Sequence, residues 1–60
     1  MKNINVKNLV LGKNVVIEPS VVIRGLNGPA NYVEIGDNAY IGHDTHIICD
    51  DFTIGDYGKL

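Results

Sequence analysis

The sequence has little of what a disulfide-stabilised or strongly charged protein depends on. Its 60 residues include one cysteine and no tryptophan. A single cysteine cannot form an internal disulfide, which fits a reducing compartment, so we expect a cytoplasmic protein. The formal net charge is −2, which provides no basic excess to favour nucleic acid or an anionic membrane as a partner. The length allows one domain at most.

Long apolar segments are also missing. The longest apolar run is far shorter than the ~20 residues of a membrane-spanning helix. Residues 1–8 contain no apolar core of the kind that a signal peptide carries. Neither a membrane helix nor a secretory leader is therefore predicted.

Strong helix formers are scarce. The chain has two alanines and no glutamine, whereas valine and isoleucine together number 15 and glycine and asparagine number seven each. β-branched residues favour strands, and glycine and asparagine favour turns. The composition therefore predicts an all-β protein.

A branched aliphatic residue recurs with a period of six. These lead positions are Leu11, Ile17, Ile23, Ile35, Ile41, Ile48, Ile54 and Leu60. Glycine follows the lead residue at Gly12, Gly36, Gly42 and Gly55. The third and fourth positions hold turn formers in Lys13-Asn14, Pro19-Ser20, Asp37-Asn38, His43-Asp44 and Asp56-Tyr57. A short strand followed by a two-residue corner explains this period, and three such sides make a triangular coil of about 18 residues.

These six-residue units resemble the left-handed parallel β-helix of the hexapeptide-repeat acyltransferases. Residues 35–46 and 52–57 are most similar to sugar O-acetyltransferases of polysaccharide clusters. The resemblance implies about three triangular coils, with the left-handed sense supplied by the family. It further implies acetyl-CoA as acyl donor, a sugar or glycan precursor as acceptor, and a homotrimer with active sites between subunits. We expect residues 1–8 to be a lead-in and residues 9–60 to form the β-helix.

The period of six breaks in two places. Residues 25–31 are rich in glycine, asparagine and proline, which favours an external loop. The alternative is a degenerate side with Pro29 in an inward position. The second break is the seven-residue step from Ile41 to Ile48, which a bulge near His46 would explain.

Two histidines are the candidate catalytic residues. His46 is the first candidate and His43 the second. Imidazole titrates near neutrality and can therefore act as a general base. In the acyltransferases that the sequence resembles, a histidine takes the proton from the acceptor hydroxyl, which then attacks the thioester of acetyl-CoA. A solvent-exposed histidine with no catalytic role remains the alternative for each.

A metal site is a weaker hypothesis. Carbonic anhydrases of the same β-helix shape hold zinc with three histidines from two subunits, whereas this chain has two. A zinc site needs at least three protein ligands, so no metal is expected. Asp50 and Asp51 are interpreted as a solvated corner, and Asp50 could orient a histidine. Cys49 is expected to point outward or to lie in a corner without a catalytic role.

The outer surface predicts self-association. With an unbroken coil of about 18 residues, Val22 and Tyr40 would stack on one outer face, and an apolar column there favours a subunit contact. Because three coils would leave an open upper edge, we also expect a truncated product or the first coils of a longer enzyme. Three functions therefore remain open, namely an O-acetyltransferase, a non-catalytic β-helix segment for assembly, and a zinc hydratase.

Overall fold

The computed structural model describes residues 3–60, and within that range it contains strands, turns and bends but no helix. The all-β prediction is confirmed. The strands are short because glycine, asparagine or aspartate interrupts them every few residues. In chain order they are β1 (Val6–Leu11), β2 (Val16–Ile17), β3 (Val22–Arg24), β4 (Ala30–Ile35), β5 (Tyr40–Ile41), β6 (His46–Ile48) and β7 (Asp51–Ile54).

The strands belong to three parallel sheets that the chain visits in turn. The first sheet has the order β1-β4-β7, the second pairs β2 with β5, and the third pairs β3 with β6. We call β1–β3 the first pass, β4–β6 the second pass, and β7 with the following residues the third pass. Isolated bridges extend two of the sheets, from Ile4 to Ile23 and from Tyr40 to Lys59.

The passes differ in length. Contacts between the first and second passes join residues 24 apart, as for Ser20 and Asp44. Contacts between the second and third passes join residues 19 apart, as for Asp37 and Asp56. In the third sheet, the long interval separates Ile23 from Ile47, so the additional residues lie between Arg24 and Ala30. The uniform coil of about 18 residues was therefore a wrong expectation.

The core lies in the middle of the stack. Its fully buried members are Val21, Ile23, Ala30, Val33, Ile35, Ala39 and Ile41. Ile35, for example, has Leu11 on one side and Ile54 on the other, and its own side chain is 1% exposed. Each fully buried branched side chain contributes about 1.5–3 kcal/mol relative to an exposed one. The middle position is buried because strands cover it from both sides.

The lead residues of the first and third passes are less buried than the six-residue period predicts. Leu11 is 40% exposed and Leu60 is 50% exposed. Leu11 pairs with Ile35 in the second pass and has no strand on its other side among residues 3–60. Except at Ile48, the period locates the inward face correctly, but it does not distinguish the first and third passes from the middle one.

The predicted seven-residue step is displaced in the structure. Val22, Ile23 and Arg24 pair in unbroken register with His46, Ile47 and Ile48. Ile47 packs against the core, whereas Ile48 is 48% exposed. Ile48 is therefore not a lead residue, and the bulge predicted near His46 is absent. The irregular step falls between Ile47 and Ile54, at the corner before β7.

The predicted outer column is also wrong. Val22 pairs with His46 rather than with Tyr40, because the first pass is longer than the uniform coil. Tyr40 instead pairs with Val16, and their exposed fractions are 36% and 48%. The apolar outer column is therefore Val16–Tyr40.

Left-handed backbone marks the turns. Positive φ angles between 57° and 63° occur at Asn14, Asn38, Asp44 and Tyr57. Asn14, Asn38 and Tyr57 occupy the same corner in successive passes, which shows that one turn geometry is repeated. Asparagine and aspartate adopt this geometry at little cost, whereas a tyrosine there is strained.

The loop between the first and second passes is shorter than predicted. β4 begins at Ala30, so the segment outside the strands is 25–29 rather than 25–31. The Gly25 N–H donates to the Gly28 carbonyl at 2.7 Å, and Arg24 Nη1 donates to the Gly25 carbonyl at 3.0 Å. Pro29 is exposed, which excludes its inward placement.

The N-terminal part of the chain joins the sheets earlier than predicted. β1 begins at Val6, inside the predicted lead-in 1–8, of which residues 1 and 2 lie outside the described part of the chain. The structure places no helix capable of crossing a membrane within residues 3–60.

Candidate active site

His43 lies in the turn between β5 and β6. This turn is closed by the Thr45 N–H and the Thr45 hydroxyl, which donate to the Gly42 carbonyl at 3.3 Å and 2.7 Å. Asp44 occupies the left-handed position of the turn with φ 63°. The side chains of His43 and Asp44 consequently leave the strand at a fixed corner.

Ser20 lies directly across from this turn, in the corresponding corner of the first pass. Its Oγ accepts the backbone N–H of Asp44 at 2.7 Å, and the same oxygen is 2.8 Å from His43 Nδ1. The other ring nitrogen, Nε2, lies 3.5 Å from Asp44 Oδ2. The structure thus brings a hydroxyl, an imidazole and a carboxylate together.

The cluster is open to solvent. The side chains of His43 and Asp44 are 72% and 78% exposed. Water screens an exposed ion pair, so the attraction between them adds little to the stability of the fold. The backbone bond from Asp44 to Ser20 and the turn geometry hold the cluster in place.

His46, the first candidate from the sequence, has a different environment. It begins β6 opposite Val22, and its side chain is exposed on the outer face of the third sheet. Ile48 shares that outer face because strand residues two apart point the same way. Within residues 3–60, His46 has no side-chain hydrogen bond that would orient its ring.

An open cleft of about 610 Å³ lies between the 25–29 loop and the corner that follows β6. Leu26 and Ile48 provide its apolar surface, and Lys7 and Asp50 provide charged groups. Leu26 is 77% exposed and is therefore available to a bound molecule. This cleft adjoins the outer face of β6, which also carries His46.

Cys49 lines the cleft, but its chemistry is that of a protonated thiol. Burial raises the pKa of the Cys49 thiol, and the nearby carboxylates of Asp50 and Asp51 raise it further. Cys49 lies in the corner that follows β6, which is one of its two expected placements, and its half-buried side chain packs against the core. A nucleophilic cysteine requires a lowered pKa, so the thiol is unsuited to attack an acyl donor.

Asp51, Tyr32 and Glu34 make hydrogen bonds outside the cluster of Ser20, His43 and Asp44. Asp51 Oδ1 accepts the Asn31 side-chain amide at 3.1 Å. The Tyr32 phenol donates to the Glu34 carboxylate, and this hydrogen bond raises the pKa of Tyr32. Among residues 3–60, no group of three or more histidine, cysteine, aspartate or glutamate side chains is arranged to hold a metal ion.

Sequence reasoning missed Ser20 as a site residue. The period of six places both Ser20 and Asp44 in the fourth position of a corner, so the signal was present. Their pairing depends on the 24-residue interval between the first two passes. A uniform coil of about 18 residues would instead have placed Ser20 next to Asn38.

Comparison of the chain with protein-family models, with curated proteins and with solved structures found no match.

Proposed function

We propose that this chain forms coils of a left-handed parallel β-helix that carries an acetyl-CoA-dependent O-acetyltransferase site. The three parallel sheets, the inward aliphatic residues and the glycine-containing corners support this architecture. The acceptor that this proposal implies is a hydroxyl of a sugar or glycan precursor. The observation that carries the catalytic part is the placement of His43 between Ser20 and Asp44.

His43 is the proposed general base. The Ser20 oxygen has two lone pairs, so it can accept both the Asp44 N–H and a proton on His43 Nδ1. In that tautomer, Nε2 carries a free lone pair on the exposed side of the ring. The Asp44 carboxylate, 3.5 Å from Nε2, then stabilises the imidazolium that forms when Nε2 takes a proton.

The transfer follows from these positions. His43 Nε2 removes the proton of the acceptor hydroxyl as the acceptor oxygen forms a bond to the thioester carbonyl carbon. The carbon–sulfur bond then breaks, and the departing CoA thiolate takes the proton back from the imidazolium. The products are an acetyl ester and CoA, so atoms and charge balance.

The cleft beside the 25–29 loop is the proposed place for part of the acyl donor. Its apolar residues Leu26 and Ile48 would contact the pantetheine arm, and Lys7 would meet a phosphate group. The cleft and the His43 turn lie at different corners of one chain. The proposed homotrimer, joined through the exposed Val16–Tyr40 column, must bring the cleft of one subunit to His43 of its neighbour for the transfer to occur.

Thiol release from acetyl-CoA in the presence of sugar acceptors tests this proposal. His43→Ala should lower kcat at least about 100-fold, as loss of a general base does, and His46→Ala is the matched control. Loss of turnover only in His46→Ala would move the base to His46. Equal turnover in both variants and in the unaltered protein would contradict the general-base role of either histidine.

A non-catalytic assembly segment is the second candidate. The observation in its favour is the partial exposure of the outer lead residues, with Leu11 and Leu60 at 40% and 50%. Equilibrium dialysis with acetyl-CoA separates the two functions, because the assembly segment requires no affinity for CoA. A zinc hydratase would require stoichiometric zinc by elemental analysis.

A further inference from the structure

Gly12, Gly36 and Gly55 occupy the same corner position in the first, second and third passes. A Cβ atom on Gly12 would collide with Asp37 Oδ1 and would lie 2.8 Å from the carbonyl carbon of Gly36. A Cβ atom on Gly36 would lie 2.5 Å from Asp56 Oδ1. Glycine is required at both positions because the backbone of the next pass crosses directly over them.

Gly55 differs from the other two in its surroundings. A Cβ atom there meets nothing within 4 Å among residues 3–60. Its φ angle also lies outside the left-handed region, so the backbone does not require glycine. At Gly55 the third pass therefore has the same glycine position as the first two passes, with room for the backbone of another pass.

Within residues 3–60, the outer edges of the first and third passes have no partner strand. β1 has a partner strand only on the β4 side, and so has β7. Unpaired N–H and C=O groups along a strand favour the addition of another strand. Leu11 and Leu60, which are each at least 40% exposed, add apolar surface to the two edges.

The two edges match in register. Ile4 and Ile47 are the outer members of one column of stacked residues, and Val16 and Lys59 are the outer members of another. The sequence interval is the same in both columns, and it also separates Leu9 from Phe52 in the first sheet. A second copy that places its Ile4, Leu9 and Val16 over Ile47, Phe52 and Lys59 would therefore extend all three sheets at once.

Charge is complementary in this register. Lys13 occupies the corner that Asp37 and Asp56 occupy in the later passes. Asp37 reaches back to the preceding pass, so Lys13 of a stacked copy would reach back to Asp56. In the same register, Asn8 of the stacked copy would lie over Asp51. Lys7, one residue before Asn8, would therefore lie over Asp50.

We infer that a second copy of this chain docks its first pass on the third pass of the copy below, so that the molecules stack head to tail with continuous parallel sheets. The contact joins two different surfaces and continues the sheets in one direction, so it repeats from copy to copy without closing into a ring. It extends beyond the proposed acyl transfer, since it uses the backbone edges of the sheets; of the proposed site it involves Lys7 and Asp50 of the cleft, so association is measured without acetyl-CoA.

Gly55→Ala tests the stacking directly. In the single chain the added methyl group has open space, so the circular dichroism spectrum and the Tm should be unchanged or the Tm slightly raised. In the stack it would meet the backbone of Gly12 and Lys13 of the next copy. Sedimentation velocity over a wide concentration range should show open-ended growth for the unaltered protein and at least tenfold weaker association for Gly55→Ala.

A charge exchange gives an independent test. Lys7→Glu and Asp50→Lys should each weaken association, and the double variant should restore it because the opposite charges again meet between copies. The effect should shrink at high salt. The inference is overturned if the unaltered protein stays monomeric at millimolar concentration, if its growth ends at a closed dimer or trimer, or if Gly55→Ala associates as strongly as the unaltered protein.

Discussion

Asp56 Oδ1 accepts the backbone N–H of Asp37 at 2.8 Å, and Asp37 Oδ1 accepts the backbone N–H of Lys13 at the same distance. One corner of the fold thus satisfies its backbone donors with a carboxylate from the following pass. This explains why aspartate follows glycine at 36–37 and 55–56. The side chain joins two passes at a point where the strands themselves have ended.

Removal of the Asp37 carboxylate should therefore cost stability. Asp37→Ala leaves the Lys13 N–H without its acceptor, and we expect a loss of about 1–2 kcal/mol in the free energy of unfolding. Asp37→Asn keeps an oxygen in the same place and should lose less than half of that amount. Urea denaturation monitored by circular dichroism measures both. Equal losses in the two variants would show that charge, rather than the hydrogen bond, matters here.

A substitution at Gly36 should cost more stability than one at Asp37, because the backbone of the next pass lies close to Gly36. A methyl group there would lie 2.6 Å from the backbone nitrogen of Asp56, which cannot move without displacing β7. Gly36→Ala should lower the free energy of unfolding by about 3 kcal/mol, at the upper end of what overpacking costs. Gly55→Ala is the matched control in the single chain, at protein concentrations too low for association. A loss below about 1 kcal/mol at Gly36, which is the scale of a tolerated change, would contradict the observed spacing.

Tyr57 offers the opposite opportunity. It has φ 60° and is 76% exposed, whereas asparagine occupies the same corner at Asn14 and Asn38. Left-handed backbone costs a residue other than glycine or asparagine about 1–2 kcal/mol. Tyr57→Asn should therefore raise the free energy of unfolding by about 0.5–1 kcal/mol, measurable as a higher midpoint in urea. The reciprocal change, Asn38→Tyr, should lower it, and a stabilising result there would refute the role of the left-handed turn.

Much of the fold followed from the sequence, because its signals are local. β-branched composition predicts strands, and Asn38 beside Gly36 predicts a corner whatever lies in the neighbouring pass. The stacking partners were not predictable in this way. The interval from Ser20 to Asp44 depends on how many residues lie in the 25–29 loop and not in strands. The hydrogen bond from the Gly25 N–H to the Gly28 carbonyl closes this loop, and it leaves no periodic pattern in the sequence.

The candidate site was predicted in part for the same reason. His43 was identified because its residue type carries chemistry, but its partner Ser20 becomes adjacent only through the fold. The assignment of Ile48 as a lead residue failed because Ile47 and Ile48 are chemically alike. Register with Ile23, rather than residue type, decides which of them faces the core.

The Cys49 thiol should make the stability of the fold depend on pH. Burial raises the pKa of its thiol above the ordinary value of 9.0, so the folded state holds this proton more tightly than the unfolded state. Between pH 9.0 and the higher folded value, unfolding releases a proton, and stability therefore falls as pH rises through that window. Below pH 9.0 the thiol is protonated in both states, so its contribution to stability is fully present and constant. Cys49→Ala should flatten the decline in urea midpoint above pH 9.0.

The same thiol should react slowly in the folded protein. A disulfide reagent at pH 8 attacks through the thiolate, so Cys49 should be labelled more slowly than free cysteine at the same pH, and labelling should accelerate in urea as the thiol is exposed. Tyr32 also titrates with a raised pKa because its phenol donates to Glu34, so Tyr32→Phe in the Cys49→Ala background separates the two contributions at high pH. Labelling faster than free cysteine would show that the thiol is activated, and it would make Cys49 a candidate for covalent chemistry in the cleft.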